Sequence, residues 1–322
     1  MCTLHTGVRA CMIRIQVNEV TVPTSLLAAL RHHGISSTMR RRIKHNGTCC
    51  INGQTASWKD FVHSGDIVTV ELPLKNSFTP EKMELPIAYE DEYLLAVNKP
   101  AGLLMHPTSG SYEGTLANGI AYYYEQTGQQ CAFHPMHRLD RNTSGLVLLA
   151  KQPQIQHAFE HRHLYYKRLY MALASHAFPA PFATVRSPIS RCADSIILRQ
   201  VAPGGKAAHT DFTRLAYNDE YSLLAVMLHT GRTHQIRVHS SYLGYPLLGD
   251  DLYGGTKDLL SRQGLHAYSI LFTHPVSGKL ITVKTPLPHD MQELIVKAGW
   301  ETLVSDFLGG MTYAISNNHG NV

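Results

Sequence analysis

Apolar residues follow two periods along this chain, and the change from one to the other marks its elements. Compact apolar runs at residues 94–97, 146–150 and 222–227, with a further run at 280–284, read as strands, some of them buried on both faces. Between them a helical period predicts helices over 115–125, 154–161 and 289–298. The first 72 residues have a finer grain. There Leu26, Leu27 and Leu30 share one predicted helical face, with Gly34 placed to end it, and a second short helix is expected over 38–44. Cys50-Ile51 then enters an Asn52-Gly53 turn, and Ser64-Gly65-Asp66 opens an alternating strand that runs to Leu72.

These patterns predict a small unit over 12–72 and a linker over 73–85 that carries Pro73, Pro80 and polar Lys75-Asn76-Ser77. A larger domain follows over 86–308, with a frayed tail over 309–322. The length of 322 residues and a hydrophobic content of 44% fit one full core plus an appendage. No run of about 18 uncharged apolar residues and no charged-then-apolar leader is present. Neither a membrane span nor a signal peptide is therefore expected. The six cysteines form no Cys-x-x-Cys pair, which points to free thiols in a reducing cytoplasm.

Charge changes the picture more than composition does. Residues 1–72 carry eight Lys and Arg against four acids, whereas the remaining 250 residues carry 21 against 20. The excess sits largely in the predicted second helix, where Arg40, Arg41, Arg42 and Lys44 cluster. Alone, such a run is more readily a solvated helix face than a phosphate contact. Of the 20 histidines, His32-His33 and His161-Arg162-His163 are the densest, and neither has the i, i+4 spacing around a Glu that a helical zinc site shows. No metal is expected.

The most informative segment is His137-Arg138-Leu139-Asp140-Arg141-Asn142-Thr143-Ser144-Gly145-Leu146. It places one carboxylate between two arginines just before an apolar strand, a setting that keeps Asp140 ionised and aimed. An Arg-Leu-Asp-Arg tetrapeptide by itself is also what a surface ion pair looks like. The whole string, however, resembles the signature loop of the RluA-type pseudouridine synthases. Further segments fall in that family's order: Leu94-Leu95-Ala96-Val97-Asn98-Lys99-Pro100-Ala101-Gly102, Arg168-Leu169-Tyr170-Met171-Ala172, Thr230-Gly231-Arg232-Thr233-His234-Gln235-Ile236-Arg237, Gly249-Asp250-Asp251-Leu252-Tyr253-Gly254 and His274-Pro275-Val276-Ser277-Gly278. The resemblance spans about residues 84 to 290.

That resemblance implies an α+β fold with a mixed, largely antiparallel central sheet and flanking helices. It also implies isomerisation of uridine in RNA without a cofactor. Asp140 would be the catalytic residue, Arg232 its ion-pair partner, and Tyr170 the ring stacked on the flipped base. Arg138 and Arg141 would hold the RNA backbone. Arg168 stands where the family mostly has Lys, which keeps the charge but not the geometry, so it is left out of the catalytic set. The order of two helices and then strands before residue 73 resembles an S4-type RNA-binding domain, whose second helix would present Arg40, Arg41, Arg42 and Lys44 to phosphates. Ribosomal RNA is the expected partner, with tRNA as the alternative, and the chain is expected to act as a monomer. Two other classes bear weighing. One is an RNA-binding protein without catalysis. The other is a glycoside or nucleoside hydrolase, whose chemistry usually needs two carboxylates with separate roles; Asp250 and Asp251 sit in what reads as a structural turn.

Overall fold

The computed structural model describes residues 10–18, 22–35, 37–73, 78–108, 112–161 and 164–307. Residues 74–77 of the expected linker, the expected tail, Arg162, His163 and the Arg42 side chain lie outside these.

The N-terminal unit is a four-stranded antiparallel sheet in the order Ala10–Gln16, Ile67–Pro73, Thr48–Ile51, Gln54–Ala56. Two helices, Leu26–His32 and Ser37–Asn46, share its core of Ile13, Leu26, Leu30, Ile43, Val68 and Val70. The buried stripe of the first helix is Leu26, Ala29 and Leu30, while Leu27 is 45% exposed. Leu27 follows Leu26 by one residue, about 100° around the helix, so it turns away from the core. The expected turn is present: Asn52 and Gly53 both have positive φ, 51° and 83°. The Asn52 side chain also ties this turn to the next one. Its amide donates to Asp66 Oδ1 and its oxygen accepts from the Ile67 N–H, each at 2.8 Å.

The larger unit is α+β. Its sheet runs Phe182–Val185, Thr210–Tyr217, Tyr221–Leu228, Tyr166–Ser175, Leu265–Thr273, Ser144–Ala150, Leu94–Lys99, Ile87–Glu90, with Leu280–Lys284 and His134–Pro135 joined at its sides. Every pairing is antiparallel except one. Ser144 and Gly145 run parallel to His266 and Ala267, and beyond that point Leu265–Thr273 pairs with Leu280–Lys284 instead. Both faces are covered, as the apolar runs predicted. Helix Leu116–Gln126 packs Leu116, Ile120 and Tyr124 against Leu95, Val97, Val147 and Leu149. Helix His289–Lys297 and Trp300 cover Leu169, Met171 and Leu173 on the other side. Side chains alternate along a strand, so Tyr166–Ser175 sends Leu169 and Met171 to one face and Tyr170 and Ala172 to the other. Among the described residues no helix is long and apolar enough to cross a membrane.

Candidate active site

Asp140 stands on a loop that enters the sheet at its one parallel junction, and nearly every residue after it is fastened. The Thr143 N–H donates to the Asp140 carbonyl, closing a turn. The Arg141 carbonyl accepts from Gly102 N–H and from Lys99 Nζ (3.0 Å), and Arg141 Nε donates back to the Gly102 carbonyl. Arg262 donates to the Asn142 carbonyl, Gln263 to Thr143 Oγ1, and Ser144 Oγ lies 2.9 Å from His266 Nδ1. Gly145 then passes so close to the neighbouring strand that a Cβ would sit 2.3 Å from the Ala267 carbonyl oxygen, and its φ of 112° favours glycine independently.

Lys99 is fully buried and donates to three carbonyls, those of Pro100, Leu103 and Arg141. Burial pushes its ammonium down to about 7, with Asp140 opposing the shift and Arg262 adding to it. A neutral amine has only two N–H bonds, so the three carbonyls together favour the charged form.

The Asp140 carboxylate meets Arg237, not Arg232. Arg237 Nη1 is 3.2 Å from Asp140 Oδ2, while its Nε and Nη2 grip both oxygens of Asp250 at 2.7 Å. Burial opposes the charge on Arg237, but the Asp250 carboxylate beside it, with Asp140, raises its pKa above the ordinary value. Arg232 lies in the loop before helix Gln235–Tyr242, exposed, with its Nε on the Ala207 carbonyl; Arg237 lies within that helix, facing inward. The expected pairing is therefore corrected by five residues. Both arginines belong to the Thr230–Arg237 match, and only the helix start distinguishes them.

His234 is the second neighbour. It holds a left-handed backbone, φ 58°, and its Nε2 lies 3.8 Å from Asp140 Oδ1. Tyr253 Oη accepts from the Arg199 N–H at 3.0 Å and lies 2.7 Å from His234 Nδ1. The hydroxyl carries one proton and two lone pairs, so it partners Nδ1 in either tautomer, and the contact fixes the position of the ring. Burial lowers the His234 pKa, and the ring is neutral at pH 7. The Gly249–Gly254 turn is thus structural in the service of the site, since Asp250 fixes Arg237 and Tyr253 fixes His234.

Asp140, Tyr170, Arg138 and Arg232 line one cavity of about 390 Å³, as do Tyr166 and Arg168. Tyr170 is 3% exposed, and burial raises its phenol pKa, so it is neutral. Tyr166, Arg168 and Tyr170 are spaced by two on one strand and so share a face, a signal that could have brought Arg168 and Tyr166 into the candidate set. Three buried polar atoms of this lining have no partner: His137 Nδ1, Tyr166 Oη and Arg168 Nε. Buried polar atoms without a partner are rare in folded proteins, and three on one cavity wall leave donors and acceptors open to a ligand. The Arg138 side chain is exposed and makes no hydrogen bond or ion pair among the described residues, whereas Arg141 is committed to Gly102.

In the N-terminal unit Arg40, Arg41 and Lys44 line a hollow of about 250 Å³ together with Leu27 and Trp58. Arg40 also donates to the Ile35 carbonyl; Arg41 and Lys44 are exposed. Trp58 and Leu27 give this basic hollow an apolar floor that the charge run did not reveal.

Three residues of metal-ligating type also converge. His209, Asp211 and His229 have ligand atoms within 4.8 Å of one another. Hydrogen-bond contacts already occupy them: the Asp211 carboxylate faces His209 Nε2 at 3.2 Å and His229 Nε2 at 2.6 Å. The two rings stack at 3.9 Å and 11°, an arrangement in which their in-plane lone pairs do not converge on one ion.

Residues 93–242 match the family model described as RNA pseudouridylate synthase. The chain is 41% identical over 251 residues to the uncharacterised RNA pseudouridine synthase YhcT of Bacillus subtilis, which covers 76% of this chain and 83% of that protein. It is 35% identical over 282 residues to the ribosomal large subunit pseudouridine synthase D of Neisseria meningitidis, 81% of this chain and 75% of that one. A solved human structure, RNA pseudouridylate synthase domain containing 1, aligns with a TM-score of 0.51 at 26% identity over 63% of this chain and 83% of that one.

Proposed function

Because this chain belongs to the RluA-type family of RNA pseudouridine synthases, we propose that it isomerises selected uridines of large-subunit ribosomal RNA, with Asp140 as the catalytic carboxylate. The observation that carries this reading is the aimed carboxylate. Asp140 is held by Arg237 on the wall of a cavity of about 390 Å³, beside the neutral ring of Tyr170.

The reaction breaks the bond from C1′ of the ribose to N1 of uracil, turns the base, and joins C5 to C1′; the proton lost from C5 is matched by one taken up at N1. Atoms balance within the nucleotide and no electrons are transferred, so no cofactor is required. A base inside a helix is out of reach, so the uridine flips into the cavity. Asp140 acts there as nucleophile or as the partner of a developing positive charge. Arg237 fixes its direction, and Tyr170 stacks on the uracil. Arg138, free at the mouth, meets the RNA that the base has left. In the N-terminal unit, which we read as S4-like, Arg40, Arg41, Arg42 and Lys44 contact phosphates.

The relative from Neisseria meningitidis, named for the ribosomal large subunit, favours ribosomal RNA over tRNA. A nucleotide-resolution pseudouridine map of ribosomal RNA and tRNA from cells lacking the chain tests both choices. Uridines that lose modification, and regain it with wild type but not with Asp140→Asn, establish activity and substrate together. Restoration by Asp140→Asn refutes the role of Asp140. Chelation leaves turnover unchanged on this reading; loss that added zinc restores would direct attention to His209, Asp211 and His229.

A further inference from the structure

A second hollow of about 460 Å³ adjoins the Asp140 cavity and shares Gly231, Arg232 and Thr233 with it. Its other wall is a hairpin, Ile189–Arg191 paired with Arg199–Val201, followed by the turn at Gly204-Gly205-Lys206. Four cations line it, Arg191, Arg199, Lys206 and Arg232, and no carboxylate does. Arg191 and Lys206 are exposed, with no side-chain partner among the described residues. Four like charges facing one hollow repel each other, and nothing in the lining offsets them, which is the electrostatic footprint of a polyanion site.

The hairpin is also ordered in advance. Arg199 Nη1 donates to the carbonyls of Ile196, Ile197 and Leu198 at 3.4, 2.9 and 2.9 Å, which fixes the tip. That tip holds Ile196 and Ile197 at 80% and 56% exposure, an apolar end beside a basic groove.

We propose that this groove binds the sugar-phosphate backbone of the RNA strand next to the flipped uridine, through Arg191, Lys206 and Arg232. The inference rests on the RNA-modifying reading above and adds to it a strand path on the hairpin side of the cavity. A hollow of this size takes the one or two phosphates nearest the target. Arg232, expected from sequence to act on Asp140, acts here on the backbone instead. The exposed isoleucines suit the faces of unstacked bases, which are apolar.

The test is the double variant Arg191→Gln with Lys206→Gln in the full chain, with Lys279→Gln, an exposed cation outside both cavities, as control. Affinity for transcribed large-subunit ribosomal RNA is measured from 50 to 300 mM salt, and steady-state turnover on the same RNA is measured beside it. Each single-strand phosphate that is no longer neutralised lowers the salt slope by about 0.7, so the double variant reduces the slope of log K against log salt by about 1.4. KM rises roughly tenfold or more, while kcat at saturating RNA stays within about twofold, since neither residue approaches Asp140. An unchanged slope and KM overturns the proposal, as does a fall in kcat at unchanged KM. If wild type turns over no RNA, the isomerase reading fails, and the salt slopes still decide whether the groove holds a polyanion.

Discussion

Arg237 joins two carboxylates of different standing: it clasps Asp250 through two nitrogens at 2.7 Å and reaches Asp140 with the third at 3.2 Å. The stronger grip falls on the residue that is 1% exposed, the weaker on the residue in the cavity. The guanidinium is therefore anchored from behind, and Asp140 meets a cation that cannot swing away.

Arg237→Lys keeps the charge and loses the fork. One ammonium cannot satisfy both Asp250 oxygens and Asp140, so a buried carboxylate is left short of donors. We expect a loss of about 3 kcal/mol of stability, seen as a Tm lower by roughly 6–12 °C, and turnover down by more than about 100-fold. Arg232→Lys, outside this network, leaves Tm and kcat close to wild type. The opposite ranking in melts and single-turnover assays would return the ion-pair role to Arg232.

Tyr253→Phe removes one hydroxyl that serves both the Arg199 N–H and His234 Nδ1. His234 then loses the partner that fixes its rotation. The expected result is kcat lower by about tenfold, roughly the worth of one hydrogen bond, with KM unchanged. A variant whose kcat matches wild type would show that His234 needs no such support.

Buried histidines set an acid limit on stability. Burial pulls His266 down to about 4, and His137 and His234 also lie below the ordinary value. In the unfolded chain these rings titrate near 6.5. For His266, between about pH 6.5 and 4 the unfolded state binds a proton that the folded state does not, so stability falls as pH falls, by up to about 1.4 kcal/mol per pH unit, and His137 and His234 act in the same direction. Thermal melts from pH 7.5 to 4.5 should show this, and His266→Gln should lessen the slope. Parallel curves for variant and wild type would mean His266 titrates normally.

Neutralising Arg41 and Lys44, both exposed, should lower the salt slope of RNA binding by about 0.7 for each phosphate set free. Trp58→Ala should weaken binding without changing that slope, because a ring contributes stacking rather than charge. Binding isotherms at three salt concentrations distinguish the two. An unchanged slope in the Arg41/Lys44 variant would remove this unit from the RNA footprint.

Much of this site can be read in the sequence, and the unread part has a common cause. Asp140 and Tyr170 follow from local strings, and the strand after the aspartate loop, Ser144–Ala150, from its apolar run, whereas strand Tyr166–Ser175 beneath Tyr170 is not among the runs picked out. The Arg237 pairing does not, because Arg232 and Arg237 lie five residues apart in one motif and only the start of helix Gln235–Tyr242 decides which faces inward. Arg168 and Tyr166 were within reach, since a period of two from Tyr170 puts them on its face. Strand Ala10–Gln16 is a weaker case: Ile13 and Ile15 alternate with Arg14 and Gln16 over too few residues to stand out. The His209–Asp211–His229 cluster and the Arg191–Lys206 groove come from separate strands and turns, and no local pattern announces contacts of that kind.

The junction at Gly145 and Ala267 has a consequence for how the protein comes to be active. Residues 144–145 lock against 266–267, and Asp140 meets its arginine 97 positions further along the chain. The aspartate loop can take its working shape only after the two halves of the sheet have met. A nascent or partly unfolded chain therefore has no assembled catalytic centre, and gain of activity during refolding should come no earlier than the pairing of residues 144–145 with 266–267.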